Sequence, residues 1–192
     1  METSTSLLDQ LRQSPDQDSW RRLTDLYRPL ILSWLQRDPF LANDAEDLVQ
    51  EILMVVHGEL PGFERQRTGS FRKWLRAIMN HQVQGHRRKR RSLPQALGVE
   101  PDEGPFAQLV DDRSELAQRW DQEHDEYVVG CLLKVIADEF IDLHVRAFRR
   151  HVLDGASAAE TAKGLGVSVD VVWKAKSRIL ARLRELGEGL LD

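Results

Sequence analysis

Cysteine is nearly missing from this chain. Cys131 is the only one in 192 residues, which excludes an internal disulfide and a thiolate zinc site. It sits among Val128, Val129, Leu132 and Leu133 and reads as a small core residue. Long apolar runs are missing as well. No stretch approaches the length of a membrane span, and the opening METSTSLLDQ has neither the cationic start nor the apolar segment of a signal peptide. A cytoplasmic protein without membrane insertion is the expectation. Catalytic spacing is the third absence. His57, His81, His86, His124, His144 and His151 show no ligand or triad spacing with acids. Asp47 and Glu51 stand four apart, but no histidine or third acid completes a metal site. The sequence predicts no enzyme, no metal and no cofactor.

What is present is charge, sorted into blocks. The formal net charge is only -4, yet residues 64–91 hold ten Lys/Arg against Glu64 alone. Residues 92–126 hold ten Asp/Glu against Arg113 and Arg119, and residues 145–184 hold nine cations against three acids. Two basic blocks separated by an acidic one fit two nucleic-acid-binding modules on a charged tether. Hydrophobic content of 41% is enough for real cores.

Helical periodicity dominates. Trp20, Leu23, Leu26, Tyr27, Leu30, Ile31 and Trp34 form one core stripe, with Pro29 expected to bend or divide the helix. Residues 44–57 form a second helix, capped by Asn43 or Asp44 and buried through Ala45, Leu48, Val49, Ile52, Val55 and Val56. Asp47, Gln50, Glu51 and Met54 share its other face, either as solvated surface or as a docking strip for a basic helix. In the loop that follows, Phe63 lies near Arg65 and Arg67. It can serve as a platform for an unstacked base, tuck onto the core beside Phe71 and Trp74, or do both with different faces.

The segment FRKWLRAIMNHQVQGHRRKRR (71–91) begins as an amphipathic helix capped by Ser70, with Phe71, Trp74, Leu75 and Ile78 on its apolar stripe. Arg72, Lys73, Arg76, Asn80 and Gln84 lie off the stripe, and Arg87 to Arg91 are cations that no core is expected to accept. That distribution suits a phosphate backbone. Periodicity then vanishes over 92–113, where Pro94, Gly98, Pro101, Gly104 and Pro105 break any regular element, and the stretch reads as an acidic linker, mobile when free. It resumes near Ser114. At the far end Ser157 and Glu160 form a capping box, Gly166 makes a turn, and Ser168 caps a last helix. Val172, Ala175, Ile179, Leu183 and Leu186 are its buried stripe, and its outer face presents Lys174, Ser177, Arg178, Arg182 and Arg184. Ala162, Gly166 and Val172 occupy the small, positive-φ and branched positions of a helix-turn-helix.

Taken together, DAEDLVQEILMVVH (44–57), the 71–91 segment and SAAETAKGLGVSVDVVWKAKSRILARLREL (157–186) resemble bacterial RNA polymerase sigma factors of the extracytoplasmic-function group. The resemblance implies an all-α fold of two small helical domains. Residues 1–91 would be a region 2-like bundle, 92–113 a flexible acidic linker, and 114–192 a region 4-like helix-turn-helix domain. It implies promoter recognition, DNA melting and transcription initiation with core RNA polymerase. Asp47, Gln50, Glu51 and Met54 would meet the clamp helices of the polymerase largest subunit, and the second domain its flap. Phe63, Arg65, Arg67 and Ser70 would capture a base flipped from the minus-ten element. Arg72, Arg76, Asn80, His81, Gln84, Arg87 and Arg88 would line the opened strand. Ser168, Asp170, Trp173, Lys174, Ser177 and Arg178 would face the minus-thirty-five element. An anti-sigma protein is the class of regulator to expect.

Some positions depart from the family pattern. Asn80-His81 stands where an Arg-Asn pair is usual, and Gly85 replaces a common Asp at a helix-interior cost of roughly 1 kcal/mol relative to Ala. Trp173-Lys174-Ala175 replaces a frequent Lys-Ser-Arg. The competing reading is a stand-alone helix-turn-helix regulator, which leaves the acidic face of 44–57 unexplained.

Overall fold

The computed structural model describes residues 6–13, 16–64, 70–91 and 104–191, with the backbone alone at 13, 70 and 91. Among these the fold is all-α, without a strand. The α-helices are α1 (Leu7–Gln13), α2 (Gln17–Leu35), α3 (Ala45–Glu59), α4 (Ser70–Arg91), α5 (Glu115–Ala137), α6 (Asp142–Phe148), α7 (Ala158–Leu165) and α8 (Val169–Leu186).

Local chemistry sets several of these boundaries. Asp16 starts α2 by accepting from Ser19 N–H, and Ser114 starts α5 by accepting from Ala117 N–H. α2 runs unbroken through Pro29, which lies on the exposed side of the helix. The expected division there does not occur. α3 lacks the expected side-chain cap, because the Asp44 carboxylate is engaged elsewhere, with His86 Nε2 at 3.0 Å and Arg90 Nη1 at 2.7 Å. It also runs past Gly58 into a 3₁₀ turn, Leu60–Gly62.

The main core takes buried side chains from α1 to α6 and from α8. Leu23, Tyr27, Ile31, Trp34 and Leu35 of α2 meet Leu48, Val49, Ile52 and Val56 of α3 and Phe71, Leu75 and Ile78 of α4. A smaller cluster, Ala147, Ala162, Val172 and Ala175, ties α6, α7 and α8.

The stretch that reads as linker is in part structured. Pro105–Val110 forms a 3₁₀ helix, with Phe106 and Leu109 buried against α4 and α5. Met79 and Val83, at i+4 and i+8 from Leu75, are fully buried as well, so the buried arc of α4 is wider than its predicted stripe. Two buried apolar residues, Phe106 and Leu109, anchor 105–110, a segment without periodicity.

Candidate nucleic-acid interface

Ala45, Leu48, Val49, Ile52 and Val56 pull one side of α3 into the core, which leaves Asp47, Gln50, Glu51 and Met54 exposed together on the other. Met54 is 74% exposed, and neither Asp47 nor Glu51 has an ion pair among the described residues. An anionic strip with one bare thioether at its end is a surface that a cationic helix could cover.

α4 divides the residues assigned to it. Asn80, His81, Gln84 and Arg88 stay at the surface, with His81 and Arg88 exposed and Gln84 Nε2 donating to Asn80 Oδ1 at 3.4 Å. Arg72, Arg76 and Arg87 point inward to acids. Arg72 Nη1 donates to both oxygens of Asp125, at 3.0 and 2.8 Å, and its Nε lies 3.6 Å from Asp121. Arg76 pairs with Asp121 at 3.1 Å and with Asp112, and Lys73 pairs with Asp112 as well. Arg87 pairs with Asp38 in a site where both side chains are 7% exposed, and its guanidinium lies 4.6 Å from the ring centre of Phe40.

The burial of Arg87 corrects the expectation that no cation of 87–91 enters a core. A carboxylate and an aromatic face replace part of what water would have supplied, while Arg87 Nε is buried without a hydrogen-bond partner among the described residues. The signal for Arg72 and Arg76 was available in the spacing. They stand four apart on α4, and Asp121 and Asp125 stand four apart on α5, so two antiparallel helices bring the pairs into register.

The carboxyls of this cluster respond differently. Hydrogen bonding from Lys73, with further attraction from Lys73 and Arg76, holds Asp112 below the usual aspartate value. Burial pushes Asp121 up, and the nearby Arg76 and Arg72 do not fully offset it.

Phe63 is 8% exposed. Its ring lies 5.0 Å from Trp74 and edge-on to Phe71 at 5.8 Å, so it packs onto the core beside them. Arg65 and Arg67 lie outside the described residues, as does the side chain of Ser70.

The C-terminal pair of helices has the local geometry its sequence predicts. Ser157 N–H donates to Glu160 Oε2 at 2.9 Å while Glu160 N–H donates to Ser157 Oγ at 3.2 Å. Gly166 turns at φ +67° and Ser168 caps α8. Val172, Ala175, Ile179 and Leu183 are buried, leaving Ser168, Asp170, Trp173, Lys174, Ser177 and Arg178 exposed along one outer strip. Lys174 reaches Asp170 at 2.7 Å, and the Arg178 guanidinium lies 5.8 Å from the Phe140 ring centre. Trp173, 49% exposed, sits edge-on to His151 at 5.1 Å with the Lys176 amine 5.2 Å from its ring. Arg182 does not join this strip, since it pairs with Glu139 and Glu185.

Among the described residues no cluster of histidine, cysteine and acids could hold a metal, and no helix is long and apolar enough to cross a membrane. Residues 23–93 match the family model of sigma-70 region 2. No curated protein matches the chain. The family match supports a sigma factor role in RNA polymerase binding and promoter recognition.

Proposed function

We propose that this chain is a sigma factor of the extracytoplasmic-function group, with a region 2-like domain at 1–91, a linker at 92–113 and a region 4-like domain at 114–192. It binds core RNA polymerase, recognises a promoter in two places and opens the duplex at one of them. Asp47, Gln50, Glu51 and Met54 dock on the clamp helices. Asn80, His81, Gln84 and Arg88, with Phe63 and the loop through Arg65, Arg67 and Ser70, hold the melted minus-ten strand, joined by Arg72, Arg76 and Arg87 once their acids release them. Ser168, Asp170, Trp173, Lys174, Ser177 and Arg178 read the minus-thirty-five groove as the second unit of a helix-turn-helix.

One observation carries this reading. A single chain whose residues 23–93 match sigma-70 region 2 exposes on α3 an anionic strip without an ion pair among the described residues and, well separated in sequence, a polar and cationic strip on α8. The first suits a protein partner and the second a DNA groove. Phosphate contacts contribute affinity without sequence information, so specificity falls to the polar side chains of α4 and α8. Unstacking bases costs a few kcal/mol per step, which the freed strand recovers against cations and polar edges. The test is transcription in vitro from genomic fragments with core polymerase. Transcripts with defined starts that depend on the purified chain are expected, and their absence at every site would end the reading.

A further inference from the structure

α8 shows water an apolar pair beside its cations. Val169 and Trp173 are both exposed and stand four apart, so they share one face near the start of the helix. Lys174, Ser177 and Arg178 flank that face and are exposed as well. An indole left half in water forgoes much of the energy its burial would supply.

The indole is also held in place. A π-helical turn, Arg149–Leu153, continues α6, and the Asp154 N–H reaches back five residues to the Arg149 carbonyl at 3.0 Å. Such a turn carries one residue more than an α-helical one and so re-aims the side chains around it. His151 lies inside it. Its Nδ1 donates to the Ala156 carbonyl at 2.8 Å, since a carbonyl only accepts. Its Nε2 is buried without a hydrogen-bond partner among the described residues. The imidazole is thus fixed by its own bond, and its plane stands at 84° to the Trp173 ring with centres 5.1 Å apart. The Lys176 amine lies 5.2 Å from the same ring centre. Side chains from two different elements therefore support Trp173 and leave the rest of it open to solvent.

The chemistry of the major groove says what that open surface fits. Arginine and lysine suit guanine, asparagine and glutamine suit adenine, and an acid suits cytosine. Apolar side chains suit the one methyl group the groove displays, on thymine. Indole offers a single N–H donor and no acceptor, so nearly all of its surface is apolar. The cations around it favour a groove walled by phosphates over a protein partner.

We propose that Trp173 reads a thymine methyl in the upstream promoter element and that His151 is the positioning residue that sets the indole for it. This deepens the sigma-factor reading and rests on it for the placement of α8 in a groove.

The test starts from a random duplex library, from which the full chain and Trp173→Ala each select binding sites. The parent is expected to select a thymine that the variant does not. Deoxyuridine at that position removes only the methyl group. It should weaken the parent about fourfold, the factor for one buried methyl, and leave Trp173→Ala unaffected. His151→Asn, or His151→Leu should the first not fold, lacks the ring and should lose most of this uridine penalty. His151→Phe restores a ring and should regain it. Iododeoxyuridine at the same position tests the contact in the unmodified protein, and irradiation should attach it to Trp173. No thymine that depends on Trp173, equal binding of thymine and uridine duplexes, or attachment to another residue overturns the proposal. A full uridine penalty without the ring, or none in His151→Phe, removes His151 from the positioning role. A chain that starts transcripts at defined sites but selects no such thymine fails on this point alone, and one that does neither fails on both.

Discussion

The pair Arg87–Asp38 shows how much one residue's setting can depend on another far away in sequence. Gly104 turns at φ +68°, and a Cβ there would lie 2.5 Å from the Arg87 guanidinium. The cation is thus boxed in by Asp38, Phe40 and a glycine backbone. Removing the acid strands a charge with little access to water. Asp38→Ala is expected to cost about 3–5 kcal/mol by chemical denaturation, whereas replacing both partners by apolar residues of similar volume should cost far less. A loss under 1 kcal/mol for the single change would mean that Arg87 escapes to solvent. None of this could be read from RRKRR, because a run of cations says nothing about a carboxylate 49 positions earlier or about an aromatic face beside it. The tucked Phe63 was open in the same way, since sequence cannot choose between a ring's two neighbours.

Elements were more legible. α2, α3, α7 and α8 follow from apolar spacing, and the ends of α7 and α8 follow from capping residues, because both signals act over three or four residues. Ser157→Ala should cost about 1 kcal/mol, since it leaves Glu160 N–H without its hydroxyl acceptor in the box. An unchanged melting midpoint would show that α7 is held by packing alone. On α3, Asp47→Arg should abolish co-purification with core polymerase and leave the melting curve in place, because the residue is exposed and pairs with nothing described. Retained binding would clear this face of the docking role. On α8, Arg178→Ala should weaken binding to the upstream promoter element by ~1–3 kcal/mol if it reads a base edge, with less effect on scrambled duplex. Equal losses on both would make it a phosphate contact only. The 3₁₀ helix 105–110 was illegible because its identity comes from what it packs on, not from a repeating pattern.

At the scale of the whole molecule, ion pairs within and between helices set the response to acid. Asp112 is held low by Lys73, and Glu139 is held low by Arg182. Burial alone would raise Glu123, but the hydrogen bonds from Arg119 and Arg37 prevail and hold it low as well. A carboxylate with a depressed folded value contributes stability above its unfolded value and loses it as pH falls through the folded one. These contributions are therefore present at pH 7, begin to fall near the unfolded carboxylate value of about 4, and are gone only below the depressed folded values. Asp121 has the opposite sign: burial raises it, so its ionised form costs stability at pH 7 and protonation relieves that cost. Asp112→Asn should lower the thermal midpoint at pH 7 and flatten its acid-side fall, while Asp121→Asn should be nearly neutral at pH 7. The half-exposed Asp112 side chain keeps the first effect small. A larger loss from Asp121→Asn than from Asp112→Asn would reverse this assignment.

The long fifth helix also bears on any attempt to study the halves apart. Severing the polypeptide between residues 113 and 114 assigns Trp120 and His124 to one fragment and leaves Trp34 and Tyr27 on the other with their mates gone. Each recombinant piece would then carry a raw aromatic wound, and turbidity during purification is the symptom to anticipate.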